Sequence, residues 1–181
     1  MEYLLAEEYY FINNYKKNEI GKILNESCYV ALDYYEELHD VKKYYYKLPD
    51  GKEINIKENR IKCPEILINP DIYLKNSPKE NLSIVYNINN SIKKCDKDIQ
   101  NELYKNILLT GRNSKLKGLK ERVQKELKNL VRYSNISDVK VSYNEHEIEE
   151  GLKNFFANPV FEDLWLTREE YEERGIHGKF F

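Results

Sequence analysis

The sequence predicts an α/β fold, and three observations carry the prediction. Short apolar runs suited to strands alternate with segments whose apolar residues recur every three or four positions. Leu116, Leu119, Val123, Leu127 and Leu130 keep that spacing longest, giving the clearest amphipathic helix of the chain. Asp50-Gly51 sits between two strand-like runs, the strongest short-range signal for a tight hairpin turn.

The elements follow in order. Residues 15–26 read as a helix with Ile20, Ile23 and Leu24 on one side, and residues 28–32 as a short apolar strand. Residues 42–48 and 53–57 form the hairpin arms, with Ile54 and Ile56 alternating with polar residues as in a half-buried strand. Cys63-Pro64-Glu65 then opens a short apolar run, Ile66-Leu67-Ile68, that Asn69-Pro70 shuts off. Residues 69–81, with two prolines, are a loop. Leu82, Val85, Ile88 and Ile92 recur at helical spacing, and a second helix covers 98–105. Ile107-Leu108-Leu109 is a buried-type strand ended by Gly111. Beyond the Leu116 helix, Val139, Val141 and Tyr143 alternate as a strand. Ile148, Leu152, Phe155 and Phe156 mark a helix face, and Thr167-Arg168-Glu169-Glu170 fits a capping box opening the last helix.

Composition bounds the function. The 181 residues are 41% hydrophobic, enough for a core of one domain or two small lobes. The mean hydropathy of -0.76 predicts a very polar surface. Lys+Arg of 29 against Asp+Glu of 31 leaves a net charge of -2, which argues against a general nucleic-acid binder. The 16 tyrosines and the plentiful Asn, Lys and Ile fit drift in base composition. Cys28, Cys63 and Cys95 lack paired spacing and read as free buried thiols in a reducing compartment. The opening MEYLLAEEYYF has neither a basic start nor a long apolar core, so it is no signal peptide. No run approaches the ~18 apolar residues that span a bilayer. A soluble, intracellular chain without membrane partners is expected. His39, His146 and His177 are far apart and lack ligand-spaced neighbours, so no metal site is predicted.

Four blocks point to a family. CYVALDYYEEL, LPDGKEINIKENRIKCPEILINP, SIKKCDKDIQNELYKNILLTG and DLWLTREEYEERGIHGKFF occur in this order, and each resembles a stretch of the actin family. The last is shortened by a few residues after Gly175. The resemblance implies an actin-like (ribonuclease H-like) lobe with a small helical subdomain, in an incomplete actin fold. It places a distal lobe at residues 1–144, with a small hairpin-bearing subdomain over about 1–75 and an α/β subdomain over about 76–144. Residues 145–181 correspond to C-terminal helices of the near lobe. Only the C-terminal half of an actin is represented; both phosphate-binding hairpins and the ATPase residues of the family belong to the other half. No catalytic residue is therefore predicted. A truncated gene product, a scaffold-like relative and a fragment of a longer polypeptide all remain open.

The candidate ligand site is the turn after the Ile107 strand: Gly111, Arg112, Asn113 and Ser114, with Leu116 following. In α/β sheets, ligands bind beyond the carboxyl ends of strands, facing helix starts. By pattern alone, one glycine in such a turn is as common in a purely structural role. In actins this turn carries two consecutive glycines and cradles ATP or ADP with its Mg. Here Gly111 keeps the first, while Arg112 replaces the second: its side chain either blocks the close backbone approach a glycine allows or reaches a phosphate as a new cation, and steric loss is the expectation. Leu24-Asn25-Glu26-Ser27 stands where the family has a nucleotide-contacting lysine–glutamate pair. Gly151-Leu152 and Asn144-Glu145-His146-Glu147 likewise lose a glycine and basic residues. Weakened nucleotide binding is the expectation. Glu145, Glu147, Glu149 and Glu150 read as a solvated acidic helix start. Lys115, Lys117, Lys120, Arg122, Lys125 and Lys128 read as the wet face of the Leu116 helix.

The second candidate is a partner-binding cleft. By resemblance it comprises Phe155, Asn158, Val160 and Leu164, with Trp165 beside them; a core role for Phe155 and Leu164 is the competing reading. The loop at 71–80 is polar where actin filaments use an apolar contact, and burying its charges unpaired would oppose ordinary polymerisation. The function implied is a non-enzymatic or weakly nucleotide-binding structural subunit of a cytoskeletal assembly in the cytoplasm. Its expected partners are other actin-family or actin-binding proteins. A truncated, ATP-binding, filament-forming actin and a nuclear subunit of a chromatin-remodelling complex are the alternatives.

Overall fold

A computed structural model describes residues 17–73, 82–144, 146–160 and 165–175. The chain divides into two units, Met1–Glu145 and His146–Phe181. In the first, α1 (Lys17–Ser27) and α2 (Tyr34–His39) precede a hairpin of β1 (Tyr45–Lys47) and β2 (Glu53–Asn55). Next come α3 (Asn59–Glu65), a 3-10 turn (Pro70–Ile72), α4 (Ile84–Lys93) and α5 (Lys97–Lys105). The rest is β3 (Ile107–Leu109), a second 3-10 turn (Arg112–Lys115), α6 (Leu119–Val131) and β4 (Val141–Tyr143). The second unit holds α7 (Glu147–Phe156) and α8 (Arg168–Arg174). Mixed helices and small sheets make the class α/β.

The hairpin forms where Asp50-Gly51 predicts it, with one more residue in the turn. Leu48 N–H bonds the Lys52 carbonyl (2.7 Å) and Gly51 N–H the Leu48 carbonyl (2.9 Å), so Pro49-Asp50-Gly51 is a three-residue loop. Gly51 takes the positive φ of 86° that this loop needs. The hairpin packs Leu48, Ile54 and Ile56 against Ile20 and Ile23 of α1. Arg60 holds its base: the guanidinium lies 4.1 Å from the Tyr44 ring centroid, and Nε donates to the Ser27 carbonyl at 2.7 Å.

Three expectations are corrected. Residues 28–32 form a single parallel bridge, Tyr29 to Lys117, rather than a strand. Past it the backbone bonds to side chains: Leu32 N–H donates to Glu37 (2.8 Å) and Asp33 caps α2. The helix α3 carries too few apolar positions for periodicity to reveal it. Cys95, in the α4–α5 turn, is exposed, whereas Cys28 is buried, which pushes its thiol up to about 12.

The main core gathers Val85, Ile92, Tyr104, Ile107, Leu109, Leu116, Leu119, Val123, Leu127, Val139 and Val141. Tyr104 buries its ring there and donates its hydroxyl to Asn89 at 2.8 Å, which satisfies the one polar group it brings inside. β3 and β4 pair in parallel, Ile107 with Val141 and Leu109 with Tyr143. Burial alternates on β3: Leu108 is 44% exposed, against the expectation of a strand covered on both faces. Leu116 is buried but precedes α6. At the far end the chain turns, with Ser134 N–H on the Val131 carbonyl, burying Val131 and leaving Leu130 exposed.

Arg122 is the largest departure from the sequence reading. Expected on the wet face of α6, it is buried. Its Nη2 meets Glu65 Oε1 at 3.0 Å and its Nη1 the second carboxylate oxygen at 3.3 Å. Nη1 also donates to the Ala31 carbonyl (2.7 Å), and Nε to Glu126 (2.7 Å). Four donor contacts on a rigid fork account for an arginine rather than a lysine here. Glu65 is wholly buried; that burial pushes its carboxyl up to about 7, against the pull of Arg122.

Removing one member of a buried pair strands the other. Arg122→Ala should cost about 3–5 kcal/mol, read from urea unfolding near pH 8. A carboxyl raised in the folded chain binds its proton more tightly there than when unfolded. Its contribution is therefore full below the unfolded value and fades as pH rises through about 7. The Arg122→Ala defect should shrink at pH 5, where Glu65 is protonated, and Glu65→Gln should flatten the stability profile across this window.

Candidate functional site

The turn after β3 is built by two glycines that side chains would disturb differently. Gly111 leaves the strand at φ 88° and ψ 179°, and Arg112–Lys115 then form the 3-10 turn. Ser114 is buried and closes this turn: its hydroxyl donates to the Gly111 carbonyl at 2.6 Å and its N–H to the same oxygen at 3.1 Å. Gly118 has φ 80°, and a Cβ there would stand 2.2 Å from the Val30 carbonyl oxygen. That closeness comes from the pairing of Val30 N–H with the Lys117 carbonyl at 2.8 Å. Only glycine allows the bridge segment to lie so near the start of α6.

The structure does not bring all five residues of the turn to one cavity. Ser114 and Leu116 line a half-open cavity of about 510 Å³ with Val30, Leu32, Glu37 and Tyr143. Leu116 is at the same time part of the core. Asn113 is exposed and its carbonyl accepts from Leu116 N–H at 3.1 Å. Arg112 crosses to α1 instead: its Nη2 lies 3.8 Å from where a Cβ on Gly21 would be. Gly21, Leu24 and Asn25 stand three and four positions apart, hence on one side of α1. Gly21 escaped the sequence reading, because a lone glycine inside a helical pattern carries no local signal of what it makes room for.

On the second unit, α7 presents an apolar face. Ile148, Leu152, Phe155 and Phe156 are each about half exposed or more, and Val160 is 63% exposed. Phe155 and Phe156 meet edge to face with centroids 5.9 Å apart. Asn158 is exposed and bonds within its own loop, its Oδ1 accepting from Val160 N–H at 3.0 Å. Leu164 and His177 lie outside the described residues. α8 starts with the capping box expected of Thr167 and Glu170.

Of the lysines on α6, Lys125 donates to the Leu32 carbonyl at 2.9 Å and Lys128 approaches Asp138 at 3.1 Å. The Glu65–Arg122–Glu126 network was missed in the sequence. Its available signal was the place of Arg122 between Leu119 and Val123, on the apolar stripe itself. Among the described residues no group of three or more His, Cys, Asp or Glu side chains is placed to hold a metal ion. None of the described helices is long and apolar enough to cross a membrane.

Compared with sequence models of protein families, the chain matches that of actin over residues 5–179.

The two glycines of the turn give separable expectations. Gly111→Ala meets open space and strains only the backbone, costing about 1–3 kcal/mol. Gly118→Ala adds a collision with the Val30 carbonyl and should be clearly the more destabilising of the two, as chemical denaturation of both variants will show.

Proposed function

The chain belongs to the actin family, and from that premise we propose that it is a non-enzymatic structural subunit of a cytoskeletal assembly, binding nucleotide weakly or not at all. The observation that carries this reading is the Arg112 guanidinium lying over Gly21 of α1. In actins the corresponding turn has a second glycine, and a lysine–glutamate pair stands where Leu24-Asn25-Glu26-Ser27 here keeps at most the acidic half. Both changes act on the same space between the turn and α1. One brings a side chain into it and the other removes the lysine that would greet a phosphate. A cation in that space could attract a phosphate, but Arg112 sits where a backbone would have to approach the ligand closely.

A partner is the natural use of such a subunit. The half-exposed Phe155 and the exposed Val160 support docking of other actin-family or actin-binding proteins at the second unit, since extended apolar surface is seldom left bare. Cytoplasmic, cytoskeletal placement follows from this role.

Thermal unfolding of the chain with and without Mg-ATP tests the proposal. A ligand that binds only the folded state adds about 2.7 kcal/mol at 100 times its dissociation constant. A cooperative transition that stays in place is the expected result. An upward shift for the unaltered chain overturns the reading.

A further inference from the structure

Cys28 is held on both sides by one residue of α3. The Ser27 carbonyl before it accepts from Arg60 Nε at 2.7 Å, and the Tyr29 N–H after it donates to the Arg60 carbonyl at 3.2 Å. That carbonyl is open to a donor from outside the helix because Pro64, four residues on within α3, has no N–H to give it. Helical carbonyls point along the axis toward the residues three and four positions later. Here those are Cys63 and Pro64, so the bond from Tyr29 brings Cys28 to the turn of α3 that carries Cys63.

The two thiols act on one another. Burial is the main reason that the Cys28 thiol is pushed up to about 12; charge on Cys63 raises it further, and Arg60 opposes both. Their exposures differ. Cys28 is 4% exposed, whereas Cys63 is only partly buried. An oxidant from solvent therefore meets Cys63 first. The two lie far apart in the sequence, and the spacing of the cysteines gave no sign of a pair. Both hydrogen bonds and both thiols belong to described residues of the first unit, so the contact is internal to it.

We propose that Cys63 and Cys28 form an oxidation site, a peroxide-responsive thiol pair that closes to an intramolecular disulfide. Hydrogen peroxide oxidises the Cys63 sulfur by two electrons: the O–O bond breaks, one oxygen stays on sulfur as a sulfenic acid and the other leaves as water. The Cys28 sulfur then bonds the Cys63 sulfur, the S–O bond breaks, and the hydroxyl leaves as water with the Cys28 proton. Two thiols lose two electrons and two protons, and one peroxide becomes two waters. The bond ties the bridge segment to α3 and encloses α2 and the hairpin in one covalent loop. A thiol reductant reopens it by exchange. The inference is independent of nucleotide binding and of the partner surface on α7.

Hydrogen peroxide titrated onto the whole chain in a Cys95→Ser background tests it, since the exposed Cys95 would otherwise cross-link separate chains. The expected result is loss of two hydrogen atoms from the intact mass, loss of both free thiols and a linked Cys28–Cys63 peptide after digestion, all reversed by dithiothreitol. Adding Cys63→Ser should leave Cys28 a free thiol at the same dose. Dimedone, which traps exposed sulfenic acids, should compete poorly with ring closure in the folded chain. Thiols that both stay free, a Cys63 that ends as an unlinked sulfinic acid or dimedone adduct, or a Cys28 oxidised in the Cys63→Ser chain overturns the proposal.

Discussion

The guanidinium of Arg122 joins three stretches of chain at one point. It reaches the carboxylate at the end of α3, the Ala31 carbonyl in the bridge segment and Glu126 one turn along its own helix. Burying this much charge is tolerable only because nearly every donor is met. The arrangement fixes where α6 lies against residues 28–32, and the rest of the unit is arranged around that contact. The Tyr29–Lys117 bridge, the obligatory glycine at 118 and the turn at 110–115 all sit within the same seam. The candidate site is a by-product of that seam.

Such a network contributes more to uniqueness than to raw stability. An apolar cluster in its place could bury as much surface, but it would not specify which helix turn faces which carbonyl. Directional hydrogen bonds do specify it. The raised proton affinity of Glu65 is the sign of the opposing cost, since desolvation outweighs the attraction of a single cation. The same trade recurs on a smaller scale at Tyr104 and Asn89, which bond inside the main core.

Much of the fold was legible from local pattern. Asp50-Gly51 announced the hairpin, Leu119, Val123 and Leu127 announced α6, and Thr167 with Glu170 announced the start of α8. Each of these is decided within a few residues, by a turn conformation, a 3.6-residue period or a cap. The helix α3 was hidden, since seven residues with one proline and two apolar positions at 61 and 63 show no period. Residues 28–32 had the composition of a strand without its pairing, because a ladder needs a second chain segment that composition does not name. In the candidate site, the departure at Arg112 was readable, while its destination over Gly21 was not.

The sequence by itself determined the class and the family, because four blocks of residues stand in a fixed order along nearly the whole chain. What only the tertiary structure decided is which polar residues turn inward and which apolar ones stay out. Arg122 looked like one more cation on a basic helix face, and Leu108 like the centre of a buried strand. Period and propensity describe one element at a time, whereas burial depends on what another element brings up against it. Glu65 lies fifty-seven residues from Arg122, and no local rule spans that distance.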